Sequence, residues 1–202
     1  STTEGTYLNT LTATDLATGW TECLALPNKT QFAVSQAIGE LRQNLPFQLL
    51  GLDSDNGSEF INDSLYRYCL SEQITFTRSR PYQKNDQAHV EQKNWSVVRH
   101  TVGYDRLETP EDLALLGSIY SDLRLYINFF QPVLKLVAKK RLDGKAIRTY
   151  DQAKTPFRRV LSLDSIPLEI KARLTDQYLH LNPVALRTSI DDKVALLWKI
   201  IR

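Results

Sequence analysis

The stretch GLDSDNGSEF, residues 51–60, ends an apolar run and places the acid Asp55 directly before an Asn-Gly pair. An Asn-Gly pair often closes a β-hairpin, and residues 58–65 would then alternate between apolar and polar as a returning strand. They do not alternate, because the apolar residues of 58–73 recur at helical spacing instead. The stretch is therefore typical of a strand that ends near Asp55, turns and leads into a helix.

The segments around this stretch alternate between strands and helices, which predicts an α/β fold. The first two predicted strands are close together and should pair as an antiparallel hairpin. A helix follows them, with Asn28 and Gln31 as a capping box. The run PFQLLGL is nearly all apolar, which favours a central strand covered on both faces. The predicted strands are 6–14, 20–26, 46–52 and 74–77.

The second half of the chain is mainly helical. Residues 87–104 predict a helix with Glu91 near its start, and Thr109 followed by Pro110 predicts the cap of a helix that runs to about Phe130. Residues 134–150 predict two short strands around an Asp-Gly turn. The remaining residues predict two helices separated at Asn182-Pro183.

Composition indicates an ordinary globular chain of 202 residues, with 42% hydrophobic and 24% charged residues. No apolar run approaches the roughly 20 residues of a membrane span, and the first residues lack a signal pattern, so neither a membrane partner nor export is expected. Cys23 and Cys69 lack a CxxC spacing and are interpreted as small buried hydrophobic residues. The chain has no methionine, so we expect a fragment of a longer protein.

Positive charge is concentrated in one segment. Residues 135–159 contain nine Lys or Arg against Asp143 and Asp151, a net charge of +7. Because the whole chain carries +2, the remainder carries −5. Such a segment is either a solvated face or a surface that binds phosphates without reading sequence.

Thirty-five residues separate Asp55 from Glu91, and this spacing resembles the catalytic core of the integrase and transposase superfamily that uses an Asp, Asp, Glu triad. The matching motifs are DSDNGSEF around Asp55 and RPYQKNDQAHVEQKN around Glu91. TATDLATGW upstream and INFFQP with AKTPF downstream are also similar, so the likeness covers roughly residues 6–161. It is greatest to bacterial insertion-sequence transposases and implies a ribonuclease H-like mixed sheet flanked by helices, a small basic β-hairpin and C-terminal helices.

The resemblance implies metal-dependent phosphoryl transfer on DNA, in which a nick is followed by attack of the 3′-hydroxyl on target DNA. Two Mg²⁺ ions, or Mn²⁺ in their place, can clamp the attacking and leaving oxygens, and they prefer carboxylate ligands. Asp55 and Glu91 are accordingly the catalytic and metal-binding candidates. Asp53 is a candidate for supporting Asp55 from the same strand.

The chain departs from the family pattern at its start. The first Asp of the triad lies in the family on a strand before the one predicted from Thr6, and Asp15 is the earliest Asp here. Asp15 aligns with the turn after a strand, where an Asp commonly caps the turn. The absent strand is the central one of the family's sheet, so the neighbouring strands would have unpaired edges. We therefore expect the 202-residue chain alone to be inactive and poorly stable.

The DNA-contact candidates are basic or amide residues near Glu91 and in the basic segment. They are Lys84, Lys93, Asn94, Arg99, Lys139, Lys140, Arg141, Lys145 and Arg148. The resemblance implies element ends and target DNA as partners, a homo-oligomer in the full-length protein, and a bacterial cytoplasmic location, at the nucleoid when DNA is bound.

The predicted organisation has three parts. Residues 1–131 form the truncated catalytic core, 132–162 a basic hairpin and linker, and 163–202 a C-terminal helical segment. Two other functions stay open: a ribonuclease H-like nuclease that does not join DNA ends, and a non-enzymatic DNA-binding remnant of a mobile element.

Overall fold

A computed structural model describes residues 7–54, 63–78, 94–103, 105–142 and 145–201, and of residues 63–64, 94–96, 142, 145 and 200–201 only the backbone. The fold is mixed α/β. The strands are β1 (Asn9–Thr14), β2 (Thr21–Leu26), β3 (Gly51–Ser54), β4 (Thr75–Arg78), β5 (Leu136–Leu142) and β6 (Lys145–Tyr150). The helices are α1 (Gln31–Asn44), α2 (Asp63–Ser71), a π-helix (Asn94–Arg99) that continues into the short α3 (His100–Val102), α4 (Pro110–Phe130), α5 (Pro156–Ser162), α6 (Leu168–His180) and α7 (Pro183–Ile201).

Strands β1 and β2 form the predicted antiparallel hairpin, in register from Asn9 opposite Leu26 to Thr14 opposite Thr21. The first strand begins at Asn9, three residues later than the sequence predicts. The Asp15 carboxylate accepts hydrogen bonds from the Thr18 backbone N–H (2.7 Å) and hydroxyl (2.6 Å), as expected of a turn cap.

The N-cap of helix α1 lies two residues later than predicted. Thr30, and not Asn28, is the N-cap, because the Thr30 hydroxyl accepts from the Ala33 backbone N–H at 3.3 Å. Asn28 instead accepts from the Thr30 backbone N–H and hydroxyl, which fixes the cap residue itself. The predicted apolar face is buried and includes Val34, Ile38 and Leu41.

The run PFQLLGL was predicted to be a covered central strand, and that prediction is wrong. Only its last two residues belong to β3, and Leu50 just before the strand is 70% exposed. The apolar run serves the core in another way, because the Phe47 ring packs edge-on against Trp20 with centroids 6.4 Å apart. An apolar run therefore indicated burial here without indicating a strand.

Strand β3 pairs in parallel with β4, with Gly51 opposite Thr75 and Ser54 opposite Arg78. Within the described part of the chain, β1–β2, β3–β4 and β5–β6 are three separate two-stranded sheets. Helix α2 lies between β3 and β4 in the chain and buries Leu65 and Cys69. Cys23 and Cys69 are both buried thiols, as predicted.

Helix α4 is the main packing element. Its start has the predicted cap: the Thr109 hydroxyl accepts from the Asp112 backbone N–H, and the Asp112 carboxylate accepts from the Thr109 backbone N–H. One face packs on β2 and another on α7. The buried apolar residues of α4 are Leu116, Ile119, Tyr120, Leu123, Ile127 and Phe129.

The three helices after the β5–β6 hairpin pack against α4 or against one another, and together with α4 and β2 they form what we call the body. Helix α5 was not predicted; it starts at the Thr155 cap and buries Phe157, whose ring lies 5.1 Å from that of Phe129. Helices α6 and α7 are separated at Asn182-Pro183 as predicted, and Asn182 accepts from the Val184 and Ala185 backbone N–H groups. No helix among the described residues has the length and apolar character needed to cross a membrane.

Candidate functional site

The carboxyl ends of the parallel strands β3 and β4 meet at one edge, where Ser54 pairs with Arg78. Asp55 follows Ser54 directly in the chain, and Glu91 precedes the π-helix by three residues. Asp55 and Glu91 both lie outside the described residues, so their separation stays a prediction. Because strand ends are rigid positions for functional groups, this edge is the candidate site.

The side chains just before Asp55 show how the edge is built. Asp53 is exposed and accepts a hydrogen bond from the Thr77 hydroxyl at 2.7 Å, which joins the two strands. Ser54 is buried, and its hydroxyl has no hydrogen-bond partner among the described residues. Buried hydroxyls are usually paired.

Arg78 is a basic residue of this edge that the sequence analysis did not select. Its guanidinium lies over the Phe76 ring, 5.6 Å from the centroid, and its pairing with Ser54 places it beside the strand end that leads to Asp55. Sequence spacing could not reveal this, since 22 residues separate Arg78 from Asp55 along the chain and only the parallel pairing brings the two strands together.

The segment after Glu91 is a π-helix that turns into α3. π-Helical turns are rare, and they are frequent at functional sites. Val97 and Val98 are buried in the cluster formed by α4 and α7. Gly103 ends the segment at φ +81°, and a Cβ there would lie 2.7 Å from the Trp198 ring. The C-terminal helix thus packs directly on the segment that follows Glu91.

The structure describes some of the predicted DNA-contact residues fully, some only in their backbone and some not at all. Lys84 and Lys93 lie outside the described residues, and the structure does not describe the Asn94 and Lys145 side chains. Arg99 ends the π-helix and is exposed, with a partner in the structure. The remaining four, Lys139, Lys140, Arg141 and Arg148, are exposed on the β5–β6 hairpin.

Two basic residues of the segment 135–159 are used to build the structure. Lys135 Nζ donates to the backbone carbonyls of Leu16 (2.7 Å) and Ala17 (2.5 Å) in the β1–β2 turn. Arg159 donates to the Asp151 carboxylate at 2.6 Å. The Arg159 hydrogen bonds hold the pKa of Asp151 well below its usual range, at about 2.

A buried ion pair links the hairpin β1–β2 to α4. The Glu22 carboxylate is 2% exposed and accepts from Trp20 Nε1 and Arg124 Nε, both at 2.7 Å. Burial raises the pKa of Glu22, and the nearby Arg124 opposes that shift. Arg124 also donates to the Asn44 carbonyl at the end of α1. The described contacts of Glu22 and Arg124 join structural elements, so we assign neither residue a catalytic role.

Both catalytic candidates are absent from the described set, and within that set no group of three or more His, Cys, Asp or Glu residues could hold a metal ion. The described elements next to them are β3, which ends directly before Asp55, and the π-helix, which begins three residues after Glu91.

The structure is similar to the catalytic core domain of BIV integrase. The TM-score is 0.51 at 20% sequence identity, over 77% of this chain and 91% of that one. The shared feature is the fold. The prediction of an integrase-core fold is confirmed at this level, and the order of strands in a ribonuclease H-like sheet stays a prediction.

One sequence relative is the protein of Sinorhizobium fredii (strain NBRC 101917 / NGR234) named "Uncharacterized protein y4rM". It is 43% identical over 155 residues, which cover 77% of this chain and 44% of the relative. The chain thus spans less than half the length of that relative. No family model matches the chain.

Proposed function

We propose that this chain is the ribonuclease H-like core of a DNA transposase or integrase, a metal-dependent polynucleotidyl transferase that nicks DNA and joins the new end to target DNA. The observation that carries the proposal is the end of β3 at Ser54, directly before Asp55, in a fold similar to an integrase catalytic core. The spacing of 35 residues to Glu91 agrees with it.

Asp55 and Glu91 are proposed as the metal ligands. Asp55 would bind from the end of a strand, and Glu91 from the segment that leads into the π-helix. Carboxylates are the donors that Mg²⁺ and Mn²⁺ take, so the residue types fit the group. Bound divalent cations would supply charge stabilisation to the attacking and leaving oxygens of the phosphodiester.

The described residues would orient these acids. The Asp53 and Thr77 hydrogen bond fixes β3 against β4, and burial of Val97 and Val98 fixes the helix after Glu91. Arg78 at the same edge would attract a phosphate. We also propose that the full-length protein is a homo-oligomer that pairs two DNA ends. It would act in the bacterial cytoplasm.

A second candidate function is DNA binding without catalysis. The exposed basic hairpin favours it, because four of its cationic residues, Lys139, Lys140, Arg141 and Arg148, are exposed. A ribonuclease H-like nuclease that does not join ends has the same fold support as the first proposal.

The test uses the protein expressed from its complete coding sequence, with supercoiled plasmid to detect nicks and a labelled duplex oligonucleotide to detect joining. We expect both reactions to require Mg²⁺ or Mn²⁺. Asp55→Asn and Glu91→Gln should each lower the rate by roughly three orders of magnitude, since bound metal ions lower the free energy of the charged transition state by several kcal/mol.

Asp164→Asn is the matched control, because Asp164 is an exposed acid between α5 and α6. It should leave both rates unchanged. Nicking without joining would favour the nuclease. DNA binding with no nicking, together with Mn²⁺ binding by calorimetry that Asp55→Asn does not weaken, would refute the catalytic proposal.

A further inference from the structure

The β5–β6 hairpin, which we call the ribbon, differs from every other strand pair in its exposure. Its described residues are exposed except Ala138, and they include the apolar side chains Leu136, Val137, Ile147 and Tyr150. Its main packing contacts are between its own two strands. A two-stranded ribbon is marginally stable in water unless something covers it.

The base of the ribbon is fixed to the body. Val133 and Lys154 form an isolated antiparallel bridge, and Asp151 accepts from the Lys135 backbone N–H at 2.8 Å. Arg159 joins Asp151 and the Val133 carbonyl from α5. The ribbon therefore extends from an ordered base.

The register divides the cations of the ribbon between its two faces. Lys139 is opposite Arg148 and Arg141 is opposite Ala146, and side chains two residues apart on a strand share a face. Lys139, Arg141 and Arg148 therefore lie on one face, the cationic face. Lys140 lies opposite Ile147 on the other face.

The pairing of Lys139 with Arg148 is unfavourable by itself. Directly opposite residues have Cβ atoms about 5 Å apart, and like charges at that distance destabilise a sheet. Within the described part of the chain, no hydrogen bond or ion pair joins the side chain of Lys139, Arg141 or Arg148 to another residue. Asp151 is already paired with Arg159, and Asp143 lies outside the described residues. An external polyanion would remove the repulsion.

We propose that the cationic face binds the phosphate backbone of duplex DNA and that the ribbon is a DNA-holding arm separate from the β3–β4 edge. The identity of the polyanion as DNA rests on the proposed function. A two-stranded ribbon fits the major groove of B-DNA, and Lys and Arg contacts to phosphates give affinity without sequence preference.

An anionic membrane is the competing partner, because a membrane surface attracts cations and takes up apolar side chains on the same face. Ile147 lies on the face opposite the three cations, but Tyr150, two residues after Arg148, shares the cationic face and is exposed. The cationic face therefore suits either partner, and DNA is chosen because of the proposed function. Binding to vesicles is an outcome of the test.

The test measures the affinity of the full protein for a 30-base-pair duplex by fluorescence anisotropy between about 50 and 200 mM salt. The variant K139Q/R148Q removes one Lys and one Arg from the cationic face. The control R173Q/K199Q removes the same two residue types from exposed positions on α6 and α7, outside the basic segment.

We expect K139Q/R148Q to bind more weakly and to flatten the slope of log K against log salt by about 1.8, since each lost phosphate contact contributes about 0.9. The control should keep the slope of the unmodified protein. The thermal midpoint of K139Q/R148Q should be unchanged or higher, because the substitution removes a like-charge pair; a structural role would lower it.

Equal loss in both double variants, or no change in K139Q/R148Q, would overturn the proposal. The proposal would also be overturned if K139Q/R148Q lost more affinity for vesicles with 30% phosphatidylserine than for DNA. Asp55→Asn separates the two proposals, since it should abolish nicking with an unchanged salt slope. If K139Q/R148Q flattens the salt slope but the unmodified protein shows no metal-dependent nicking, the proposal of a DNA-holding arm stands and the proposal of a catalytic function is refuted.

Discussion

The ribbon and the body around α4 are made of similar residues that have opposite surroundings. Both contain isoleucines, but Ile119 on α4 is 0% exposed and Ile147 on β6 is 51% exposed. The body is held by apolar contacts between α4, β2 and α7. The ribbon is held at its base by hydrogen bonds to Lys135, Asp151 and Arg159.

The comparison shows that the body contributes the stability of the fold, whereas the ribbon carries exposed charge. The body buries its apolar side chains and pairs its buried acid Glu22 with Arg124. The ribbon keeps cations in solvent on one face, where they gain nothing from one another. We therefore expect substitutions in the body to change the free energy of unfolding and substitutions in the ribbon to change binding.

The largest effect should come from the two isoleucines. Ile119→Ala removes three carbon atoms from a fully buried site, and the cavity should cost about 4 kcal/mol of unfolding free energy. Ile147→Ala should cost less than about 1 kcal/mol, because about half of the residue is already exposed to water. Urea unfolding of both variants measures the difference. Equal costs would show that the ribbon packs on the body.

A smaller effect should come from two glycines of the body. Gly103→Ala places a Cβ 2.7 Å from the Trp198 ring at φ +81°, which should cost about 2 kcal/mol. Gly117→Ala, in the middle of α4 with nothing within 4 Å of its Cβ position, should stabilise by about 0.5 to 1 kcal/mol. Thermal unfolding tests both. A neutral Gly103→Ala would mean that α7 does not press on the segment after Glu91.

The smallest effect should be the pH dependence of the ribbon base. Because the pKa of Asp151 falls from 3.8 to about 2 on folding, its contribution is complete above pH 3.8 and is lost as the pH falls through about 2. The stability difference between the unmodified protein and Asp151→Asn should be constant near neutrality and shrink in acid. Arg159→Gln should remove the same acid dependence. A difference as large at pH 2 as at neutrality would contradict the assignment.

Sequence patterns predicted the elements whose signals are local. Thr109 with Pro110 marked the start of α4, and Asn182-Pro183 marked the boundary between α6 and α7. Hairpins at β1–β2 and β5–β6 were predicted because their turns are short and their strands are adjacent in the chain. These features depend on residues a few positions apart.

The errors have two physical causes, competition between neighbouring caps and contacts between residues far apart in the chain. Asn28 and Thr30 are both good caps two residues apart, and only their mutual hydrogen bond decides that Thr30 begins the helix. Apolarity in the run ending at Leu52 predicted burial in a sheet, but the partner of Phe47 is Trp20. Long-range pairing was also invisible at the site, where Arg78 meets the strand end through β3–β4 pairing.

Lys135 gives the β1–β2 turn an influence beyond its own residues. Its ammonium holds two consecutive carbonyls, of Leu16 and Ala17, at the point where the ribbon leaves the body. The turn is therefore one of the attachments of the ribbon base, beside the contacts of Arg159 with Asp151 and Val133. Insertions in the turn would displace these carbonyls from the ammonium and remove one attachment of the arm, although every amino acid of the arm itself would be unchanged.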